Sequence, residues 1–543
     1  MITHLQDWLT LQADQRPEAV AIVFRETAVT YQELEQNSNR LAHALQAAGC
    51  RPGDRVGLLL PKGPPALVAM FAALKADCIY VPLDTASPAR RIGGILQLCE
   101  CRCLLADRSS AGLLDQLMAQ PTWLPSTAIG WLDNSSSSTI PVRFHWDDVQ
   151  ALPDSPLNSH SSSEQPAHIL FTSGSTGVPK GVIITHSNVI HFVQWAVDYF
   201  GMGPSDRVSG HPPLHFDLST FDVYGAVAAG SQLHLLPPET SILPHRLAEF
   251  IRSSHLTQWF SVPSVLHTMA RFVAVRQDDF PSLKRLLWCG EKFPTPALIH
   301  WMSRLPHVTF DNLYGPTETT IASSYYRVPR CPDDDKAEIP IGAPCTGERL
   351  LVLDEQLHPT RPGDVGDLYI GGVGLSPGYW KDPEKTAQAF LPDPSSSVRG
   401  DRIYKTGDLA RIGPDGLIYL LGRADTQIKS RGYRIELGEI ETALHTVPGV
   451  RDAAVVAIDS PEGESKVICC AYVPDTDSAR SPVTLRKGLA QVLPPYMIPA
   501  HWRVLQDLPQ NGNGKVDRPL LKEWFGQATA VHNARWNSAG GTE

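Results

Sequence analysis

No stretch of the chain reaches the ~20 consecutive apolar residues that a membrane-spanning helix needs, so no membrane span and no membrane partner are expected. The amino terminus, Met1 to Asp7, lacks a basic region followed by an apolar run, so no secretory signal is read there and a cytoplasmic location is expected. Positive charge is in deficit: 47 Lys and Arg face 57 Asp and Glu, a net charge of −10. That argues against broad nucleic-acid binding and against attachment to an anionic membrane, while leaving room for a local cationic pocket. Internal repeats are absent. A disulfide framework is missing too, since ten cysteines scattered over 543 residues read as reduced thiols. Cys99, Cys101 and Cys103 alternate, but no nearby His or Cys pair completes a metal site, and one face of a strand accounts for the spacing. What is present is 42% hydrophobic and 19% charged, the balance of a globular protein, in a chain too long for one core.

Strand-like and helix-like runs alternate from the start. Thr30, with Glu33 three residues later, is a capping box that opens a helix. Val56–Leu60 reads as a buried strand, 66–74 as a helix and Ile79–Asp84 as a second strand, the pattern of an α/β sheet domain. Ser-rich stretches at 135–138 and 155–163 read as exposed loops.

The stretch that organises the rest is Phe171-Thr-Ser-Gly-Ser-Thr-Gly-Val-Pro-Lys-Gly181. Thr172, Ser173, Ser175 and Thr176 offer hydroxyls, Gly174 and Gly177 let backbone amides approach an anion, and Lys180 adds charge. Short apolar runs on either side, 168–171 and 181–185, read as strands, so the loop is a phosphate-holding hairpin. It is not a Walker A loop, which closes on Gly-Lys-Ser/Thr and runs into a helix. The loop resembles the signature of the adenylate-forming superfamily: acyl-CoA synthetases, luciferases and the adenylation domains of nonribosomal peptide synthetases.

Further motifs follow in that family's order, over about residues 10–525. Leu74 to Asp84 resembles a core motif but has Asp77 where the family usually has Gly, a departure that reads as structural. Asp217, after Phe216, matches the aspartate that anchors an amino acid's α-ammonium; the position also suits a helix N-cap. Cys289-Gly290-Glu291 resembles the adenine-side segment, with Cys replacing a Gly. In Asn312-Leu-Tyr-Gly-Pro-Thr-Glu318, the resemblance places Asn312, Tyr314 and Gly315 along the adenine side, Thr317 on phosphate and Glu318 on Mg²⁺. One protein carboxylate with phosphate oxygens suits that ion. Asp408 matches the residue accepting both ribose hydroxyls, Arg423 a ribose or phosphate contact, and Asp425 the hinge between domains. Lys515, in a Gly-rich turn, matches the catalytic lysine that bridges carboxylate and α-phosphate, with Lys180 as the loop's own cation. Outside that motif order, Lys515 would read as a solvated turn residue.

The resemblance implies an α/β fold with a large N-terminal domain of several mixed-sheet subdomains over 1–424. A small mobile α+β domain over 425–526 and a disordered tail over 527–543 would follow. It implies ATP and Mg²⁺, an acyl-adenylate intermediate, and transfer to a thiol after the small domain turns about Asp425. No carrier segment with a phosphopantetheine-bearing serine follows, so a free-standing enzyme loading a separate carrier protein is expected. An acyl- or aryl-CoA ligase is the alternative, which Asp217 disfavours because such substrates have no amine to anchor. A catalytically dead interaction module is a third reading, opposed by the presence of Lys180, Glu318, Asp408 and Lys515.

By the family's motif order the substrate wall comprises Asp217, Leu218, Phe221, Phe260, Leu287, Cys289, Leu313, Ile321 and Ala322. Apart from Asp217 it offers no partner for a polar substrate side chain, whose burial would cost roughly 1–3 kcal/mol. Its bulk disfavours Trp and Tyr. A compact apolar amino acid remains, and the pattern resembles free-standing prolyl-carrier-protein ligases. L-Proline is the expected substrate, with valine or alanine as alternatives.

Overall fold

A computed structural model of the protein describes residues 2–134, 140–158, 161–174, 177–240, 243–460, 466–475, 481–511 and 515–527. The chain divides into two compact units. The first comprises Met1–Thr85, Gly93–Phe171 and Gly181–Ala424; the second comprises Ala86–Ile92, Thr172–Lys180 and Asp425–Glu543.

The first unit is built on three sheets. A seven-stranded sheet has at its centre three consecutive parallel strands, Cys103–Ala106, Arg55–Leu59 and Ile79–Pro82. These are apolar almost without interruption, as strands covered on both faces must be. Helix Tyr31–Ala47 starts at Thr30, whose hydroxyl accepts from Glu33 N–H (3.1 Å) while the Glu33 carboxylate accepts from Thr30 N–H (2.8 Å). The capping box expected there is formed. Helix Pro64–Lys75 is buried on every side from Ala66 onward, and its one charge, Lys75, is matched by Glu35 at 2.6 Å. Asp77 sits at φ +54°, the left-handed region, which is why a Gly suits this place and an Asp is tolerated.

The three alternating cysteines do not lie along one strand. Cys99 ends helix Ala89–Cys99, Cys101 lies in the connection, and only Cys103 is in a strand. All three are buried, and no group of three metal-ligating side chains occurs among the described residues. Strands Pro166–Thr172 and Lys180–Thr185, neighbours at the edge of this sheet, flank the glycine-rich loop as expected.

The nine-stranded sheet carries Arg207–Gly210, Gln258–Ser261, Arg285–Trp288 and Thr309–Tyr314 side by side in parallel. Phe260 is in register with Leu287, and Leu287 with Asp311, so these three share a face; Trp259, Leu286 and Phe310 share the other. The two faces feed different cores. Phe260, Leu287 and Leu313 join helix Asp217–Ala229, whereas Trp259, Leu286, Trp288 and Phe310 close a separate cluster. A five-stranded antiparallel sheet, centred on Val365–Gly372 and Arg402–Ile412, completes the unit.

In the second unit, Val450–Asp459 and Lys466–Pro474 pair antiparallel, and His501–Val504 adds in parallel. Helix Leu437–His445 buries Leu437, Ile440 and Leu444 in a core with Val455, Cys470 and Leu485. A helical stretch over 518–527 ends the described chain, so Gln527 is helical rather than part of a tail; the expectation for 528–543 lies outside the described residues. Among the described residues no helix is long and apolar enough to cross a membrane.

Candidate functional site

The site in the first unit is assembled from strand ends. Strand Arg207–Gly210 runs into helix Asp217–Ala229, with Phe216 at the N-cap position and Asp217 as the first helical residue. A carboxylate there also meets the positive end of the helix. Leu218 and Phe221 follow on the same side of the helix. The Phe221 ring packs edge-on to Phe260 (5.8 Å) and Phe192 (5.5 Å) and rests against Gly225, where an added Cβ would stand 2.8 Å from the ring. Leu218, Phe221, Phe260, Leu287, Cys289, Leu313, Ile321 and Ala322 are all buried and belong to one cluster. Eight of the nine residues of the expected wall therefore lie in one extended core that also takes in Leu5 and Tyr404, and Asp217 is half-buried.

The far side of the wall comes from a turn that doubles back. A Cβ on Gly315 would lie 2.6 Å from the Ala322 backbone, so only glycine allows the approach. Thr320 and Ile321 both have positive φ, +59° and +71°, an uncommon state for β-branched residues. Ala322 N–H donates to Thr320 C=O (2.9 Å), closing a γ-turn centred on Ile321. Thr320 Oγ1 donates to Gly374 C=O (2.8 Å) and Ser323 Oγ to Thr319 Oγ1 (2.7 Å), which hold the strained turn in place.

Along strand Thr309–Tyr314 alternate side chains divide the chemistry. Leu313 joins the wall, while Asn312 and Tyr314 point to the opposite face. Asn312 Nδ2 donates to Pro340 C=O (2.8 Å). Tyr314 donates to Asp408 Oδ2 (2.6 Å), and burial together with that carboxylate pushes the phenol's pKa up. Asp408 Oδ1 accepts from Arg423 (2.9 Å), its register partner on the neighbouring strand. Both carboxylate oxygens are thus engaged, with lone pairs left for hydroxyl donors.

Thr317 and Glu318 lie in the short 3₁₀ turn after Pro316. Thr317 Oγ1 donates to Asp217 Oδ2 at 2.8 Å, joining two motifs one hundred residues apart. Glu318 is fully buried and accepts from Tyr379 O–H (2.8 Å). A single carboxylate of this kind suits a magnesium ion that takes its other ligands from phosphate and water. Gly290 has φ +101°, and a Cβ there would meet only the Val262 side chain, at 3.9 Å. Glu291 accepts from Ser264 N–H (3.1 Å), in the first turn of helix Pro263–Arg271, and so has a capping task in the protein itself.

The remaining candidates lie in the second unit. A Cβ on Gly174 would meet Val178 C=O at 2.1 Å, and Gly177 N–H donates to Gly174 C=O (3.0 Å), so the loop closes tightly on itself. Ser173 Oγ donates to Arg434 C=O (2.6 Å), and Gly174 N–H to Glu439 (3.3 Å), a buried carboxylate also paired with Arg91. Thr172 Oγ1 is buried without a partner among the described residues, an orphaned donor of the kind a phosphate oxygen would satisfy. Ser175 and Thr176 lie outside the described residues. Lys180 begins the strand that follows the loop. Lys515 is exposed; its backbone N–H donates to Asn511 Oδ1 (3.1 Å) and its C=O accepts from Asn511 N–H (2.7 Å). Asp425 opens the last and longest segment of the unit, and its Oδ1 accepts from Gln427 N–H (3.0 Å).

Sequence reasoning missed Tyr379, which holds Glu318, and Asp311, a buried carboxylate paired with Arg327 at 2.9 Å. It also missed Lys62 and the left-handed backbone at Thr320 and Ile321. Each depends on a contact distant in sequence or on a backbone state that the residue type does not advertise.

Residues 9–380 match the AMP-binding enzyme family and residues 439–515 its C-terminal domain, so the chain belongs to the AMP-binding enzyme family. It is 36% identical to the L-proline–[L-prolyl-carrier protein] ligase of Streptomyces coelicolor, over 90% of this chain and 91% of that one. It is 35% identical over 96% of its length to the dimodular nonribosomal peptide synthase of Bacillus subtilis, of which it spans 21%. Tyrocidine synthase 3 of Brevibacillus parabrevis is 35% identical over 94% of this chain, which spans only 7% of that protein. Among solved structures, the Vibrio cholerae adenylation domain AlmE in complex with glycyl-adenosine-5'-phosphate superposes with a TM-score of 0.84. The match has 25% identity and covers 97% of this chain and 98% of that one.

Proposed function

We propose that the protein activates L-proline with ATP and transfers the prolyl group to the phosphopantetheine thiol of a separate carrier protein. The observation that carries this reading is the hydrogen bond between Thr317 and Asp217, which joins the residue read here as the amine anchor to the turn read here as handling phosphate. Support comes also from the prolyl ligase relative, matched along nearly its whole length. The substrate carboxylate attacks the α-phosphorus, the bond to pyrophosphate breaks, and prolyl-adenylate remains. Asp217 would accept from the secondary ammonium while the ring lies against Phe221 and Phe260. Thr172, Ser173, Gly174, Gly177 and Lys180, with Ser175 and Thr176, would hold phosphate, and Asp408 and Arg423 the ribose. Mg²⁺, when bound, offsets phosphate charge, and Glu318 would hold it. Lys515 would stabilise the charge that develops on carboxylate and phosphate. The second step needs a turn about Asp425 that withdraws Lys515 and admits the thiol; the thiolate then attacks the acyl carbon and AMP leaves.

The test is ATP–pyrophosphate exchange with Pro, Val, Ala, Leu and pipecolate at equal concentration. Proline among the best two is expected, with modest discrimination over Val, since one methylene in an apolar pocket is worth only ~1–3 kcal/mol. Any other ranking refutes the pocket reading.

A further inference from the structure

Lys62 stands between strand Arg55–Leu59 and helix Pro64–Lys75. Its Nζ donates to the carbonyls of Gly210 and His211 at 2.7 Å each and reaches that of Pro212 at 3.4 Å. Gly210 ends the strand, and the next two residues begin the segment that delivers Asp217. An ammonium has three donors, and here it faces three carbonyls. Asp222, fully buried on the helix that Asp217 opens, lies beside the His211 backbone and within range of the Lys62 charge, with neither carboxylate oxygen hydrogen-bonded among the described residues. Burial pulls the Lys62 ammonium down to about 7 and pushes the Asp222 carboxyl up, each opposed by the other's charge. From the other side His211 stacks on Trp259 (4.9 Å) and meets the Ser261 hydroxyl through Nδ1 (3.1 Å). Burial, and secondarily the Lys62 charge, keep that imidazole neutral.

A buried cation is a costly way to fill space, and an apolar side chain of similar volume would do so more cheaply. What the cation adds is a fixed distance from the strand end to the first turn of the helix. We propose that Lys62 is a positioning residue for amino-acid binding: by gripping the carbonyls of 210–212, it sets where Asp217 presents its carboxylate. This rests on the reading of Asp217 as the amine anchor.

The test measures KM for L-proline and for ATP by pyrophosphate exchange in Lys62→Met, Asp217→Asn and the combination. Lys62→Met should raise KM for proline about tenfold, one broken charge-assisted hydrogen bond's worth, with ATP's KM changed less than about twofold. In the Asp217→Asn background, where the anchor charge is already gone, the same substitution should add less than about twofold. If Lys62→Met fails to fold, Lys62→Met/Asp222→Leu removes both charges together, leaves no unpaired one, and should show the same selective rise. Equal rises for proline and ATP, or a full tenfold addition in the Asp217→Asn background, would overturn the proposal while leaving the anchor intact. An unchanged KM for proline in Asp217→Asn alone would overturn the anchor reading, and this inference with it.

Discussion

A single side chain can be decisive for chemistry and irrelevant to folding, and Lys515 illustrates the case. It is exposed, and its turn is closed by backbone bonds to Asn511 that any residue could make. Lys515→Ala is expected to lower adenylate formation by ~10²–10³ while thermal melting stays unchanged; near-normal exchange would refute its role. Gly225 is the converse. In an ordinary helix interior Ala is favoured over Gly by roughly 1 kcal/mol. Here the new Cβ would press on the Phe221 ring at 2.8 Å. Gly225→Ala should therefore tighten the amino-acid pocket, lowering the pipecolate-to-proline activity ratio while ATP's KM holds. A ratio unchanged from the parent would show that the ring does not bound the pocket.

At the scale of elements, strand Glu348–Leu353 begins with a carboxylate where burial is severe. Glu348 Oε1 accepts from Gly374 N–H (2.7 Å), and desolvation pushes the carboxyl up to about 7, against that hydrogen bond and the charge of Arg349. Between about 4.5 and 7 the folded state holds a proton that the unfolded chain has released. Stability must then fall as pH rises through that window, by up to about 3 kcal/mol from this group. Glu348→Gln keeps an oxygen for Gly374 and cannot ionise. Comparing melting temperatures at pH 5 and pH 8, the drop seen in the parent should shrink in the variant; identical drops would place the titration elsewhere. Legibility followed the same divide between local and distant. The box of Thr30 and Glu33, the strands around the phosphate loop and the helix from Leu437 are written in neighbouring residues, so they could be read. The burial of the residues named for the wall was legible from their apolar types, whereas the face that Phe260 and Leu287 share needed the sheet register. Lys62 binds carbonyls some 148 residues away, and backbone carbonyls carry no residue signature. The cysteine spacing suggested a strand because a helix end and a short connection can mimic period two.

For the molecule as a whole, the last of the crossings between the two interleaved units falls between Ala424 and Asp425. Asp425→Pro, which fixes φ at the proposed pivot, is expected to slow thiol transfer more than adenylation. Equal loss in both half-reactions would count against a turning step. The alternation along Thr309–Tyr314 has a further consequence for how such a protein can change over generations. Leu313 faces the cluster of Phe221 and Phe260, while Tyr314 faces away toward Asp408 and Asn312 toward Pro340. On the proposed reading, substitutions at one parity retune which amino acid is chosen, and those at the other parity bear on the nucleotide. Adjacent codons are thereby uncoupled in effect, so a lineage can explore new building blocks without first surrendering its use of ATP.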